Sequence, residues 1–504
     1  MFCRVSSAVI CGIDSSIVNV EADVSNGMPL FEMVGDLSPH VKEAKGLVRT
    51  GIKNSGYEMS AKHIVVNISP ANIRKEGTLL DLPIAISVMA GYGYVKLENL
   101  EKTVIAGELS LDGSINPVAG IIAVVIAAKE AGYKKCIIPY NNVKEGKAIK
   151  GIEVVGVSSL KQAVDYINDG ITIKQDYEEK KETDIEEFLD FCEINGQEAA
   201  KRAVEVAVAG LHNFLMIGSP GAGKTMIAKR IPTIMPDLSE EEMIEVTKVY
   251  SISNLIDSNS GMIKNRPFRS PHHTITATSL AGGGAKGKPG EVTLANKGVL
   301  FLDELSEFDR NVLEVLRQPL EEKMVSVSRI HGKYTYPANF MLVAATNPCK
   351  CGYYPDISKC TCTPKEISRY FGKISGPLLD RIDICIDVPK VEYNDIVTGR
   401  KSETSNEIKK RVEAAYELQK ERYKNTGISY NSELNIAGVK EYCRLGKRET
   451  EYMGKVFDKM NLSVRSYHRV LKTARTIADL AEEKDININH ISEAVCYKLP
   501  DKKY

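Results

Sequence analysis

The chain has 504 residues, 66 of them acidic and 66 basic, so its formal net charge is zero. That length is too great for one ordinary core and points to roughly two to four domains. The charge balance excludes a chain-wide affinity for nucleic acid or membrane, so any nucleic-acid surface must be a local patch.

The N-terminal MFCRVSSAVICGID has neither the basic segment nor the continuous apolar stretch of a signal peptide. With eleven cysteines, an odd number, this predicts a reduced, cytoplasmic setting in which clustered thiols mean metal more often than disulfide. The longest apolar run, residues 118–128, falls short of the roughly 18 residues that would suggest a spanning helix, and no membrane insertion is expected.

Residues 1–173 mix the alternating SSIVNVEADV, the strand-like HIVVNIS and the helix-like DLPIAISVMAGYG and AGIIAVVIAAKEAG, which reads as an α/β or α+β domain. The charged stretch KQDYEEKKETDIEEF then predicts a linker over residues 174–189. A second α/β block is expected over 190–392 and a charged, helix-periodic tail over 393–504. No internal repeat or low-complexity region stands out.

GSPGAGKT, residues 218–225, fits G-x-x-x-x-G-K-[ST], follows the apolar FLMI and opens the helical MIAKRI, the strand, loop and helix that a phosphate-binding loop requires. Its residues are Gly218, Ser219, Pro220, Gly221, Ala222, Gly223, Lys224 and Thr225. Glycines there let backbone N–H groups close around phosphate oxygens at a helix N-terminus; Lys224 is expected to reach the β and γ phosphates of ATP, and Thr225 to ligate Mg²⁺. VLFLDE, residues 299–304, reads as a buried strand ending in two carboxylates, with Asp303 holding Mg²⁺ through water and Glu304 orienting the attacking water.

FMLVAATN ends another buried strand at Asn347, a candidate for positioning that water, with a turn or N-cap asparagine before Pro348 as the alternative. In GPLLDRIDICIDV, Arg381 precedes an apolar strand and reads as an arginine finger acting on a neighbouring subunit, a role worth on the order of 10³ to 10⁵ in rate. Its alternative is a surface salt bridge with Asp380 or Asp383.

These four motifs in order resemble an AAA+ ATPase. The wording around them, GQEAAKRAVEVAVAGLHNFLMIGSPGAGKT, RPFRSPHHTITATSLAGGG, PGEVTLANKGVLFLDELSEF and SGPLLDRIDICIDV, closely resembles the YifB/ComM family of magnesium-chelatase-like AAA+ proteins, over essentially the whole chain. The resemblance implies a P-loop core with a parallel sheet sandwiched by helices, a C-terminal helical lid, and Arg465 in SVRSYHRVLKTARTIADL as the lid arginine facing the γ-phosphate. It also implies a hexameric helicase that drives DNA branch migration during uptake and recombination of transforming DNA.

Two segments fit a DNA-translocating ring. SVSRIHGKYTYPA alternates about a His331-Gly332 turn and reads as a β-hairpin with Arg329 and Lys333 near its tip; in the related branch of AAA+ proteins such a hairpin projects into the pore. AGGGAKGKPGE carries Lys286 and Lys288 among glycines, and cationic tips of this kind grip phosphates without reading bases. Solvated surface turns are the bland alternative for both.

The N-terminal domain resembles the protease domain of Lon through GELSLDGSINPVAG and RKEGTLLDLPIAI. Where a Lon-type peptidase needs a serine and a lysine, however, this chain reads Gly77, Thr78, Leu79, Leu80 and Asp81, with Ile122 at the lysine position, so a non-proteolytic domain is expected.

Last, NPCKCGYYPDISKCTC places Cys349, Cys351, Cys360 and Cys362 in the spacing C-x-C-x8-C-x-C. Two thiolate pairs of this kind can enclose a structural Zn²⁺ with no open position, although C-x2-C is the commoner spacing; free thiols or a redox-labile pair are the alternative. Cys385 reads as a core residue, and His272 and His273 as loop hydrogen-bonding groups. Two other functions compete with the DNA motor: a chelatase motor resembling the small subunit of magnesium chelatase, and an ATP-dependent chaperone for protein complexes.

Overall fold

In strand Asp14–Ser25 every second side chain from Val18 to Val24 is buried, the period-two pattern of a sheet with one face on a core. The computed structural model describes residues 1–171, 189–256, 261–284, 287–329, 332–390 and 402–498. Residues 174–188 of the expected linker, Lys286, the side chains of Arg329 and Lys333, and the start of the tail at 393–401 lie outside the described residues.

The chain forms two compact units. One comprises Met1–Thr183, Glu240–Ile263 and Ser326–Tyr336, the other Asp184–Ser239, Lys264–Val325 and Pro337–Tyr504. The first is built on a seven-stranded sheet in the order Leu30–Val34, His63–Ser69, Asp14–Ser25, Phe2–Cys11, Thr103–Ile105, Lys135–Pro139, Glu153–Val157. Asp14–Ser25 runs antiparallel to both its neighbours, and the other pairs are parallel.

Helix Asp81–Gly91 is buried along its whole length. Leu79, Leu80 and Ile122 are core residues, so the positions at which Lon-type peptidases carry serine and lysine point into packed apolar side chains.

Helix Glu240–Ile252 also belongs to this unit although its sequence lies inside the second block. The hydroxyl of Ser251 donates to the buried Glu145 carboxylate and accepts from the Gly120 N–H at 2.9 Å, while Ile244 packs on the cluster that holds Ile121 and Ile122. Lys150 pairs with Glu240 at 2.7 Å and Lys248 with Asp14 at 2.8 Å. The expected β-hairpin forms from Met324–Arg329 and Gly332–Pro337, and Tyr334 lies against Gly12.

The second unit has a five-stranded sheet in the order Phe268–Arg269, Val299–Leu302, Met341–Thr346, Phe214–Ile217, Ile384–Asp387, every pair parallel. Its three central strands are buried throughout, as parallel strands covered on both faces must be. Helices Ser405–Arg422, Lys447–Lys459, Val464–Leu480 and Ile488–Cys496 share this core: Val412, Ala415, Val470 and Ala474 pack in one cluster with Phe214 and Phe301.

An ionic knot joins these helices. The fully buried Asp479 accepts from Arg422 at 2.8 Å, Arg475 at 3.1 Å and Asn431 at 2.9 Å. The architecture is thus a mixed α/β chain with a parallel-sheet core and C-terminal helices. Among the described residues no helix is long and apolar enough to cross a membrane.

Candidate nucleotide-binding site

In an open parallel sheet, ligands gather beyond the carboxyl ends of the strands, where the strand order reverses. Here the first strand in the chain, Phe214–Ile217, lies between the fourth and fifth, and the loops after it and its neighbours meet. The loop after it begins at Gly218, where a Cβ would come within 2.4 Å of the Val388 carbonyl oxygen, so only glycine fits. Helix Lys224–Ile234 follows directly, with Gly223 before it in the left-handed region at φ +84°.

The Lys224 ammonium is held across the loop. It donates to the Gly218 carbonyl at 2.6 Å, to the Ser219 carbonyl at 3.1 Å and to Asn347 Oδ1 at 3.1 Å. Burial lowers its pKa, and the Asp303 and Glu304 carboxylates act against that shift. Asn347 therefore reaches the P-loop lysine and is not merely a turn asparagine. The Thr225 hydroxyl donates to Asp303 Oδ2 at 2.7 Å, which joins the two expected Mg²⁺ ligands. Residues 220–226, Asp303, Glu304, Thr346 and Asn347 line a cleft of about 480 Å³.

The donor set fits Mg²⁺ and a triphosphate: a hydroxyl and a carboxylate for a hard cation, and an ammonium with a glycine-rich helix start for the anion. Gly221, at φ +76°, has open space where a Cβ would stand, room for a group to approach its backbone.

Glu304 sits at φ 53°, ψ 47°, a left-handed conformation that side chains other than glycine, asparagine and aspartate rarely adopt. Its N–H donates to Asp303 Oδ1 at 3.0 Å and its carboxylate is exposed. His273 Nδ1 lies 3.7 Å from Glu304 Oε2, with the His272 ring centred 4.0 Å from that of His273. His272 does make the expected loop hydrogen bond, to the Thr274 hydroxyl. His273 instead faces the candidate catalytic carboxylate.

Arg381 and Arg465 meet away from this cleft and neither lines it. Both engage Glu321: Arg381 through Nη2, and Arg465 at 3.0 Å. Arg381 also donates to the Pro377 carbonyl at 2.6 Å, so its ion pair is made with Glu321 and not with Asp380 or Asp383. Its side chain is 9% exposed and its Nε has no hydrogen-bond partner among the described residues. Lys288 is exposed on the short pairing of Gly282–Gly283 with Lys288–Pro289.

Two contributors have no motif to mark them. Gln197, before helix Glu198–Ala209, donates to the P-loop carbonyl of Ala222 at 2.7 Å and to that of Pro389 at 3.1 Å; its only signal is its place in GQEAA upstream of the P-loop. Glu321 carries no local signal at all.

The four cysteines converge, with ligand atoms within 4.8 Å of one another. Cys349 Sγ is 3.3 Å from Cys351 Sγ and 3.8 Å from Cys360 Sγ, and the latter two are 3.5 Å apart. A tetrahedral site with metal–sulfur bonds of about 2.3 Å sets sulfurs about 3.8 Å apart, so the cluster is of the right size to hold a metal. The Tyr354 N–H points at Cys349 Sγ at 3.5 Å. Burial raises the pKa of Cys351, but the amides of Tyr353 and Thr361 and the neighbouring thiols outweigh it and hold the group at about 6. Cys385, by contrast, is only half-buried in its strand, short of the core position expected for it.

Comparison with known proteins agrees along the chain. The family described as "Magnesium chelatase, subunit ChlI" matches residues 190–396, "Subunit ChlI of Mg-chelatase" residues 20–142, and "Magnesium chelatase, subunit ChlI C-terminal" residues 402–498. Competence protein ComM of Haemophilus influenzae is 38% identical over 98% of this chain and 97% of its own length. YifB of Escherichia coli is 39% identical over 97% and 96%. Lon protease 2 of Bacillus subtilis is 28% identical over 32% of this chain and 30% of its own. Full-length identity at this level, on a chain whose P-loop, acidic strand end and Asn347 meet at one cleft, means that the chain belongs to the ComM/YifB family of magnesium-chelatase-like AAA+ ATPases.

Proposed function

We propose that this protein is a cytoplasmic AAA+ motor with an ATPase centre of residues 218–225, Asp303, Glu304 and Asn347, assembled into a hexamer that moves along DNA and drives branch migration. The observation that carries the ATPase reading is the paired contact of Lys224 with Asn347 and of Thr225 with Asp303, which joins three strand ends at one cleft. Thr225 and Asp303 would hold Mg²⁺, which would supply positive charge against the phosphates. Lys224 and the P-loop amides bind the phosphates, Glu304 orients the attacking water, and Asn347 holds Lys224 and that water in register. Arg465 approaches the γ-phosphate from the lid, and Arg381 serves the neighbouring subunit's site after leaving Glu321.

DNA as the load rests on the family resemblance and on the candidate pore cations Lys286, Lys288, Arg329 and Lys333. The cysteine cluster holds a structural Zn²⁺: four thiolates leave no position for a catalytic water. The N-terminal unit is non-proteolytic, because Leu79, Leu80 and Ile122 are packed core. The rival load is a protein partner, as for a chelatase or chaperone; its support is the match to magnesium-chelatase families over residues 20–142, 190–396 and 402–498.

The test is the steady-state ATPase rate with and without single-stranded and four-way-junction DNA, for the native protein and Arg381→Ala, across a salt titration. Stimulation by DNA that salt weakens and Arg381→Ala abolishes is the expected result. An intact basal rate that DNA leaves unchanged would transfer the motor to a protein load.

A further inference from the structure

The cysteine knuckle and the P-loop are in contact. Cys349 stands two residues after Asn347, the residue that accepts from Lys224. The chain then returns over the P-loop at Gly352, which lies at φ +83° and where a Cβ would come 2.5 Å from Pro220 Cδ and 2.9 Å from its Cγ. Tyr353 sits beneath the Lys390 ammonium, 5.3 Å from the ring centroid, and the preceding carbonyl, that of Pro389, accepts from Gln197, which also holds Ala222. Together with Val388 against Gly218, these contacts wedge the P-loop between the knuckle and the end of strand Ile384–Asp387.

Residues 350–362 contain turns but no helix or strand, so their shape depends on what ties them. Four ligands drawn from fourteen residues supply that tie: a metal whose binding orders a loop contributes its binding free energy to the loop's folding. The metal would displace the thiol protons to solvent and leave a closed, unreactive site.

We propose that the metal-bound knuckle is a brace for the nucleotide site: zinc fixes residues 349–362 against Pro220, and ATP affinity depends on that zinc. This rests on the zinc reading given above. It extends that reading by giving the metal a task, which is to keep the P-loop and Asn347 in the geometry that receives phosphates.

The experiment compares the full-length protein, Cys360→Ser/Cys362→Ser and Gly352→Ala for zinc content by elemental mass spectrometry, for affinity toward a fluorescent non-hydrolysable ATP analogue, and for far-UV circular dichroism. The native protein is expected to carry zinc. The double variant is expected to lose it and to bind the analogue on the order of tenfold more weakly. Gly352→Ala keeps all four thiols, so it should retain zinc yet also bind the analogue more weakly, because its Cβ displaces Pro220.

Zinc in the native protein, with unchanged analogue affinity once zinc is lost, overturns the brace and leaves the zinc reading standing. Absence of zinc from the native protein, with none taken up from zinc-buffered solution, overturns both. Should the double variant fail to fold, Gly352→Ala decides: zinc retained with native affinity refutes the brace.

Discussion

Glu304 holds two properties that substitution can separate. Its backbone lies at φ 53°, ψ 47°, where a side chain other than glycine costs about 1–2 kcal/mol. Its carboxylate is exposed, and the charged contact recorded for it is His273 at 3.7 Å, so little packing is lost when it is replaced. Glu304→Gln keeps the strain and removes the proposed base; Glu304→Asn removes that proposed base and substitutes a residue that tolerates the left-handed region. Both should lose hydrolysis by about 10² to 10⁴, the range for a general base, while still binding nucleotide.

In stability they should differ. Glu304→Asn is expected to exceed Glu304→Gln by about 1 kcal/mol, or about 2 °C in the unfolding transition of the unit that carries the site. Phosphate release and analogue binding report the first property, and scanning calorimetry the second. An Asn variant no more stable than the Gln variant would refute the strain argument, and a Gln variant that still hydrolyses ATP would remove Glu304 from the chemistry.

His273→Ala is expected to reduce kcat several-fold with nucleotide affinity unchanged, measured by steady-state kinetics and analogue titration, because the histidine touches the carboxylate and not the phosphate cradle. Asp479→Ala strands Arg422 and Arg475 without their shared carboxylate and should destabilise the helical region by about 3–5 kcal/mol in denaturant unfolding. Asp81 makes the N-terminal unit sensitive to pH: burial raises its carboxyl to about 7, with a backbone bond from Leu109 opposing. A folded-state value above the unfolded one gives stability that is complete below about pH 4 and lost as pH rises through about 7. Asp81→Asn should remove that dependence, seen as a smaller fall in melting temperature between pH 5 and pH 8.

What could be read from the sequence was whatever is local. The P-loop, the acidic strand end and the cysteine cluster each lie within sixteen residues, and glycine, carboxylate and thiol spacing encode them directly. Convergence is not local: Asn347 is 123 residues from Lys224, and the contact between them depends on the order in which five strands pair. Glu321 and Gln197 lie in unremarkable helical surroundings, and only the fold turns one toward two arginines and the other toward the P-loop. The environment of His273 is hidden in the sequence for the same reason. Adjacent histidines look alike in a sequence, yet one meets a threonine and its neighbour the Glu304 carboxylate. Helix Glu240–Ile252 has a charged, unexceptional pattern that conceals which unit it packs with.

That helix carries a consequence for the gene. Because Ser251 is held by Glu145 and Gly120, and Ile244 by the cluster around Ile122, the N-terminal unit borrows part of its own structure from the middle of the reading frame. Deleting residues 1–183 would therefore not excise a module. It would strip an apolar and ion-paired helix of its partners and leave it exposed on the remainder. Neither unit can be inherited, swapped or expressed alone by a single cut, so recombination between relatives must exchange both or repair the seam.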